Sequence, residues 1–328
     1  MGTSSQSSFK QKEMKRIITS AQVQNLLQEQ LNEWELARNN YEALKQVRVK
    51  ELTFDGFKIS VQFNPARIVS SSAKVDSKSI QERKCFLCEQ NRPAVQKGIP
   101  FGDNYVVLIN PFPIFPKHLT IPACEHVDQL IINRFGDMLD LAYNLDEFTV
   151  FYNGPKCGAS APDHVHFQAG SKGFLPIEKE WRMFADSEAL EYQSAKLFLL
   201  NSYLRGTLVI ESESKDSAVN LFEQIYSSLE VKPGEGEPMM NILAWFESDK
   251  WVICIFPRTL HRPSCYTAQG DENILISPAS VDMGGVFITP LEKDFEKVSA
   301  QNICDILQEV CMDETMLQEI VERLKTTL

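Results

Sequence analysis

The stretch Asn153-Gly154-Pro155-Lys156-Cys157-Gly158-Ala159-Ser160-Ala161-Pro162-Asp163-His164-Val165-His166-Phe167-Gln168 sets a glycine-bearing loop directly before two histidines and a glutamine at alternate positions. In an extended strand, residues two apart share a face. His164, His166 and Gln168 are therefore expected on one side, with Val165 and Phe167 in the core. Gly154, Gly158 and Ser160 suit a backbone that turns its N–H groups toward an anion, because glycine adopts the conformations such a nest requires. An imidazole beside an anion cradle has the chemistry of a nucleophile toward phosphorus. His-x-His pairs also occur as structural strand residues and as metal ligands. Only five histidines occur in 328 residues, and two of them follow this Gly/Ser/Asn loop, which favours catalysis.

Outward from this motif the chain alternates strands and helices. Upstream, the expectation is a helix from Ala21 to Val47, strands at Val49–Phe54 and Phe57–Phe63, a polar loop from Arg67 to Lys84, and two short strands around the proline-rich turn Phe112-Pro113-Ile114-Phe115-Pro116. A helix is expected at Val127–Tyr143, with His126 starting it and doing no chemistry. Downstream, Gly206–Glu211 reads as a strand, Ser217–Leu229 as a helix, and Met240–Glu247 with Lys250–Phe256 as a hairpin around Ser248-Asp249. Ile274–Pro278 and Val286–Thr289 are further strand candidates, and helices close the chain from Glu292 through Lys325. The segments give an α+β protein in three parts: a loose N-terminus at 1–16, a domain at 17–195 carrying the motif, and a domain at 196–328 repeating the pattern without it.

Composition narrows the function. The balance of 33 basic against 44 acidic residues, net −11, disfavours nucleic-acid binding, which needs a basic surface that releases counterions. No run of eighteen apolar residues and no secretory segment near the start is present, so neither a membrane partner nor export is expected. Eight scattered cysteines in such a chain imply reduced thiols and a cytoplasmic setting. Cys157, inside the glycine loop, reads as small-residue packing. Nothing in the sequence fixes the oligomeric state.

The run Tyr152-Asn153-Gly154-Pro155, then Gly158-Ala159-Ser160, then Asp163-His164-x-His166-x-Gln168, resembles the signature of the nucleotide-transferring branch of the histidine-triad superfamily. That branch holds diadenosine tetraphosphate phosphorylases, galactose-1-phosphate uridylyltransferases and GDP-hexose phosphorylases. His164 to Gln168, with Pro176-Ile177-Glu178-Lys179, is most similar to the GDP-hexose phosphorylases, whereas the loop spacing before His164 looks more like the diadenosine tetraphosphate enzymes. The resemblance implies tandem histidine-triad-like halves, each an antiparallel sheet with covering helices. It implies His166 as the nucleophile that takes a nucleoside monophosphate from a nucleotide sugar or dinucleoside polyphosphate and gives it to a phosphate acceptor. Gln168 and His164 would complete the catalytic set. A glutamine cannot shuttle a proton as histidine can, which favours transfer over hydrolysis.

Substrate contacts are expected from Asn153, Gly158 and Ser160, and from Lys156, Lys179 and Arg258 as local cations. Asn110 is expected either to face the ribose and phosphates or to cap its Asn-Pro turn. Arg258 and His261 are read with equal weight as surface residues. Two other functions stay open, a phosphohydrolase using the same histidine and a nucleotide-binding module without turnover.

Cys85-Phe86-Leu87-Cys88 has the spacing by which two thiolates grip one zinc ion, and Arg83-Lys84 precede it. With His118 and His164 it would form a structural zinc site, matching by order the one some uridylyltransferases carry. A redox pair or two unrelated thiols are the alternatives.

Overall fold

The structure, a computed structural model, describes residues 16–68 and 75–328. The expected loose N-terminus lies outside them except for Arg16, which pairs with Asp146 at 2.6 Å. The helices are α1 Ser20–Glu33, α2 Glu35–Leu44, α3 Ser77–Glu82, α4 Phe135–Asn144, α5 Ile177–Phe184, α6 Lys215–Ser228, α7 Ser280–Met283, α8 Glu292–Lys297, α9 Ala300–Val310 and α10 Glu314–Thr327. The strands of the first half are β1 Arg48–Thr53, β2 Lys58–Phe63, β3 Gly98–Phe101, β4 Tyr105–Ile109, β5 His118–Pro122, β6 Phe148–Asn153 and β7 His166–Ser171. Those of the second are β8 Ala185–Tyr192, β9 Ala195–Leu200, β10 Thr207–Ser212, β11 Met240–Glu247, β12 Lys250–Pro257 and β13 Val286–Thr289.

The two halves share one ten-stranded antiparallel sheet, in the order β3-β4-β5-β7-β6-β11-β12-β10-β9-β8. Counted from either outer edge, each half places its strands first, second, third, fifth, fourth, and the two fourth strands, β6 and β11, meet at the seam. There Asn153 lies opposite Asn241 and Tyr152 opposite Ile242. The α+β class and the antiparallel pairing agree with expectation, but the sheets of the two halves are continuous rather than separate. β8, which the sequence reading puts at the end of the first domain, pairs with β9 at the far edge of the second half's strands. β1, β2 and β13 form a second sheet drawn from both ends of the chain, with β13 parallel to β2.

Alternation along the strands builds two cores. Val165, Phe167 and Ala169 pack with Leu139, Leu221 and Leu317 under the helices α4, α6 and α10. There Phe135 stacks on Phe222, with ring centroids 3.8 Å apart. The opposite face buries Phe115, Phe151, Val252, Cys254 and Phe256 against the small sheet and α9. His166 and Gln168 alternate with Phe167 and so lie on this second face.

Several local expectations change. The first helix breaks at Trp34, whose extended backbone (φ −109°, ψ 100°) ends α1 and begins α2. The polar loop expected from Arg67 to Lys84 contains α3; its residues 69–74 lie outside those described. The helix expected from Val127 begins only at Phe135, because tertiary hydrogen bonds claim the backbone before it: Val127 O accepts from Val165 N–H, and Gln129 N–H donates to Pro162 O. β3 went unseen because it is short and carries Pro100, an edge-strand residue. Ile274–Pro278 is not a strand. The β11–β12 hairpin turns at Ser248 and Asp249, both at positive φ, as a two-residue turn of the primed type demands.

Candidate active site

His166 opens β7 and is nearly buried (4% exposed) at the wall of a cavity of about 630 Å³. Its Nδ1 lies 2.8 Å from the His164 carbonyl. A carbonyl can only accept, so Nδ1 carries the proton and Nε2 keeps the lone pair. Burial pushes the ring's pKa down to about 4, which leaves it neutral and nucleophilic at neutral pH.

The neighbours of His166 are held by a chain of hydrogen bonds. Ile114 N–H donates to His118 Nδ1 at 3.2 Å, so His118 Nε2 bears its proton and points at Gln168 Oε1, 3.1 Å away. With its oxygen so engaged, Gln168 presents its amide nitrogen as the free donor, and Gln168 lines the cavity. At the seam, Asn153 Oδ1 accepts from Asn241 Nδ2 at 3.0 Å and from Ser280 N–H at 2.8 Å, which leaves its Nδ2 end as the donor. Gly158 sits at φ +97°, and an added Cβ would meet Ala279 Cβ at 2.5 Å, so this turn admits glycine alone.

Of the sequence candidates, His166, Gln168, Asn153, Gly158, Ser160 and Asn110 line the one cavity. Asn110 Oδ1 caps the turn at Phe112 N–H (2.9 Å), and the residue also lines the cavity. Lys156 and Lys179 are not among the lining residues, and Lys156 instead faces Glu235 at 3.9 Å. Arg258 is a correction: it is buried, and all five N–H groups go to the protein. Nε donates to Val310 O, Nη1 to Asn241 Oδ1 and Pro278 O, and Nη2 to Leu260 O and His261 O. It supports Asn241 and is not among the residues lining the cavity.

The cavity's arginines are Arg67 and Arg83. Arg67 escaped the sequence reading because it lies alone after a strand, without a motif. It is half-buried, desolvation lowers its pKa to about 10, and Nη1 donates to Phe112 O at 2.7 Å. Trp34, Leu36, Phe86 and Phe112 add apolar lining.

The metal-ligand set is also corrected. Cys85, Cys88, His126 and His164 place their ligand atoms within 4.8 Å of one another. His118, bonded to Gln168, is not in the group, and His126, read as inert, takes its place. His164 Nδ1 is 3.3 Å from Cys85 Sγ and 3.5 Å from Cys88 Sγ, and His126 Nδ1 is 3.1 Å from Cys88 Sγ. A tetrahedral zinc with ordinary bond lengths sets sulfur and nitrogen about 3.5 Å apart, so the group fits a metal. The other ring nitrogen of His164 is tied as in many metal-bound imidazoles, Nε2 to Ala123 O at 2.9 Å, while His126 Nε2 lies 3.6 Å from Asp163 Oδ2. Burial opposes ionisation of Cys85, yet the contact with His164 and the backbone N–H groups of Leu87 and Cys88 take its pKa down to about 6. His126 was hidden because nothing in its local sequence ties it to cysteines 38 residues away.

Comparison with known proteins agrees with this architecture. Residues 183–328 match the family described as the GDPGP1-like C-terminal domain, and residues 26–171 match a domain of unknown function, DUF4922. The crystal structure of yeast Ap4A phosphorylase Apa2 in complex with Ap4A superposes with a TM-score of 0.52 at 17% identity, covering 86% of this chain and 97% of that one. The same yeast enzyme in complex with AMP gives 0.53 at 18% identity, covering 86% and 96%. No curated protein matches the sequence. The fold is therefore that of the yeast Ap4A phosphorylase, and the second half of the chain carries a GDPGP1-like C-terminal domain.

Proposed function

We propose that this protein transfers a nucleoside monophosphate from a nucleoside diphosphate hexose or a dinucleoside polyphosphate to a phosphate acceptor, through a covalent nucleotidyl-His166. The observation that carries the reading is the His166 ring, neutral and fixed with Nε2 as the free lone pair in a cavity lined by Gln168, Asn153 and Ser160. Nε2 attacks the α-phosphorus, the P–N bond forms, and the bond to the leaving phosphate oxygen breaks; a phosphate leaves without needing a proton. Nδ1–H stays on the ring and donates to His164 O throughout, stabilising the positive charge the ring acquires. The acceptor phosphate then attacks the same phosphorus and the P–N bond breaks. Gln168, Asn153 and Ser160 donate to the phosphoryl oxygens where charge develops. Gln168 offers no basic nitrogen to activate water, which favours the phosphate acceptor.

Arg67 and Arg83 supply positive charge for the phosphates, and the Trp34, Leu36, Phe86 and Phe112 surfaces suit a base. The structure of Apa2 with Ap4A and with AMP supports a nucleotide as substrate. Cys85, Cys88, His126 and His164 would hold a structural zinc ion, whose bond to His164 steadies the residue whose carbonyl orients His166. Eight free cysteines accord with a cytoplasmic setting. Among the described residues, no helix is long and apolar enough to cross a membrane.

Incubation with α-32P-labelled UDP-, GDP- and ADP-hexoses and dinucleoside polyphosphates should leave acid-labile label on the wild type and none on His166→Ala. A wild type that stays unlabelled across the panel would overturn the reading.

A further inference from the structure

Gln129 is fully buried in the non-helical strap between β5 and α4. Its Oε1 accepts the backbone N–H of His166 at 2.7 Å, and its Nε2 donates to the backbone carbonyls of His166 and Asn153, each at 3.0 Å. The pairing of β6 with β7 ends at Phe151 opposite Gln168. Continued two residues further, the same register sets Asn153 opposite His166, and at that point the carboxamide of Gln129 bonds both strands. One side chain therefore spaces the two strand ends where both line the cavity.

The strap cannot carry that side chain elsewhere. Gln129 N–H donates to Pro162 O at 3.0 Å, Val165 N–H donates to Val127 O at 2.7 Å, and Ile131 N–H donates to Glu237 Oε2 at 2.8 Å. The Tyr152 hydroxyl, 2.6 Å from Glu237 Oε1, also lies 3.1 Å from Gln129 O. Glutamine has the right inventory for this slot, one acceptor oxygen and two amide hydrogens. Glutamate would keep the acceptor and set a second oxygen against two carbonyls; methionine would keep the volume and lose all three bonds.

We propose that Gln129 is a positioning residue for the nucleophile: it fixes the backbone of His166 and of the donor Asn153 at one separation while touching no substrate itself. The inference rests on the nucleotidyl-His166 reading for its kinetic consequence and on geometry alone for its structural one. An error of about 1 Å in such a pair can cost on the order of a hundredfold in rate.

The test uses the full chain as wild type, Gln129→Glu, Gln129→Met and, as a control in the same strap, Ile131→Val. Single-turnover labelling of His166 should slow about 10- to 100-fold in both Gln129 variants, with nucleotide affinity within about twofold of wild type, and stay near wild type in Ile131→Val. In ligand-free protein, the side-chain ¹⁵N resonances of His166 should show one Nδ1–H tautomer in wild type and averaging in the Gln129 variants. Wild-type labelling rates and an unshifted ¹⁵N pattern in folded Gln129→Glu and Gln129→Met would overturn the proposal. Should the wild type take no label from any nucleotide, the reading of the reaction fails while the ¹⁵N comparison still decides the role of Gln129.

Discussion

His118 Nε2 lies 3.1 Å from Gln168 Oε1, and the Ile114 amide on the other ring nitrogen leaves only one tautomer, the one that donates to the glutamine. Burial, aided by the nearby Arg67 charge, takes the His118 pKa down to about 3, so this donor stays neutral across the working range. His118→Ala should free the glutamine to rotate and slow nucleotidyl labelling about tenfold, the worth of one oriented hydrogen bond. Its metal content should equal that of the wild type. Metal lost with His118 would restore it to the ligand set.

The opposite pattern is expected at His126. His126→Ala and Cys88→Ser should each lower the zinc measured by elemental analysis from about one per chain, and chelation should lower the melting temperature of the wild type. Wild-type zinc content in His126→Ala would show that the four-residue group is not the site.

Arg258 tests whether a basic residue near the seam serves the substrate or the fold. Lysine keeps the charge but cannot make five directed bonds, so Arg258→Lys should cost about 3 kcal/mol of stability. KM for the donor should stay unchanged in the folded fraction. Chemical denaturation and steady-state kinetics separate the two, and a raised KM with unchanged stability would reverse the assignment.

Glu237 gives a pH signature. Burial raises its pKa to about 7 although Tyr152 and the Ile131 amide bond it. A carboxyl that is harder to ionise folded than unfolded stabilises the fold fully below about pH 4.5 and loses that contribution as pH rises through 7. Relative to Glu237→Gln, the wild type should thus lose stability on the order of 2 kcal/mol between pH 4.5 and 7.5. A difference that stays flat with pH would mean Glu237 ionises normally.

How much of this was legible follows from what acts locally. The motif strand was readable because period-two alternation and a glycine turn are short-range signals, and His166, Gln168, Asn153 and Ser160 do meet at one cavity. The Cys85/Cys88 half of the metal group was readable from its spacing. His126, Arg67 and Gln129 were not: each is placed by backbone contacts from distant segments, and none sits in a pattern. The Val127 helix failed for the same reason, since its apolar period is real but its first turn is spent on tertiary bonds. Arg258 misled because a basic exit from a hairpin looks like an anion site until its five donors are counted.

The seam where β6 meets β11 carries a consequence beyond this pocket. Four consecutive buried residues of β6, Val150 to Asn153, are covered on that side by a strand from the other half, and both halves run their strands in one order from the rim inward. That is the geometry of an isologous two-fold dimer written into a single polypeptide. Severing the chain between the halves would expose two matching ribbons with no surface fit for water. Across that seam Asn241 and Ser280 of the second half brace Asn153 of the first.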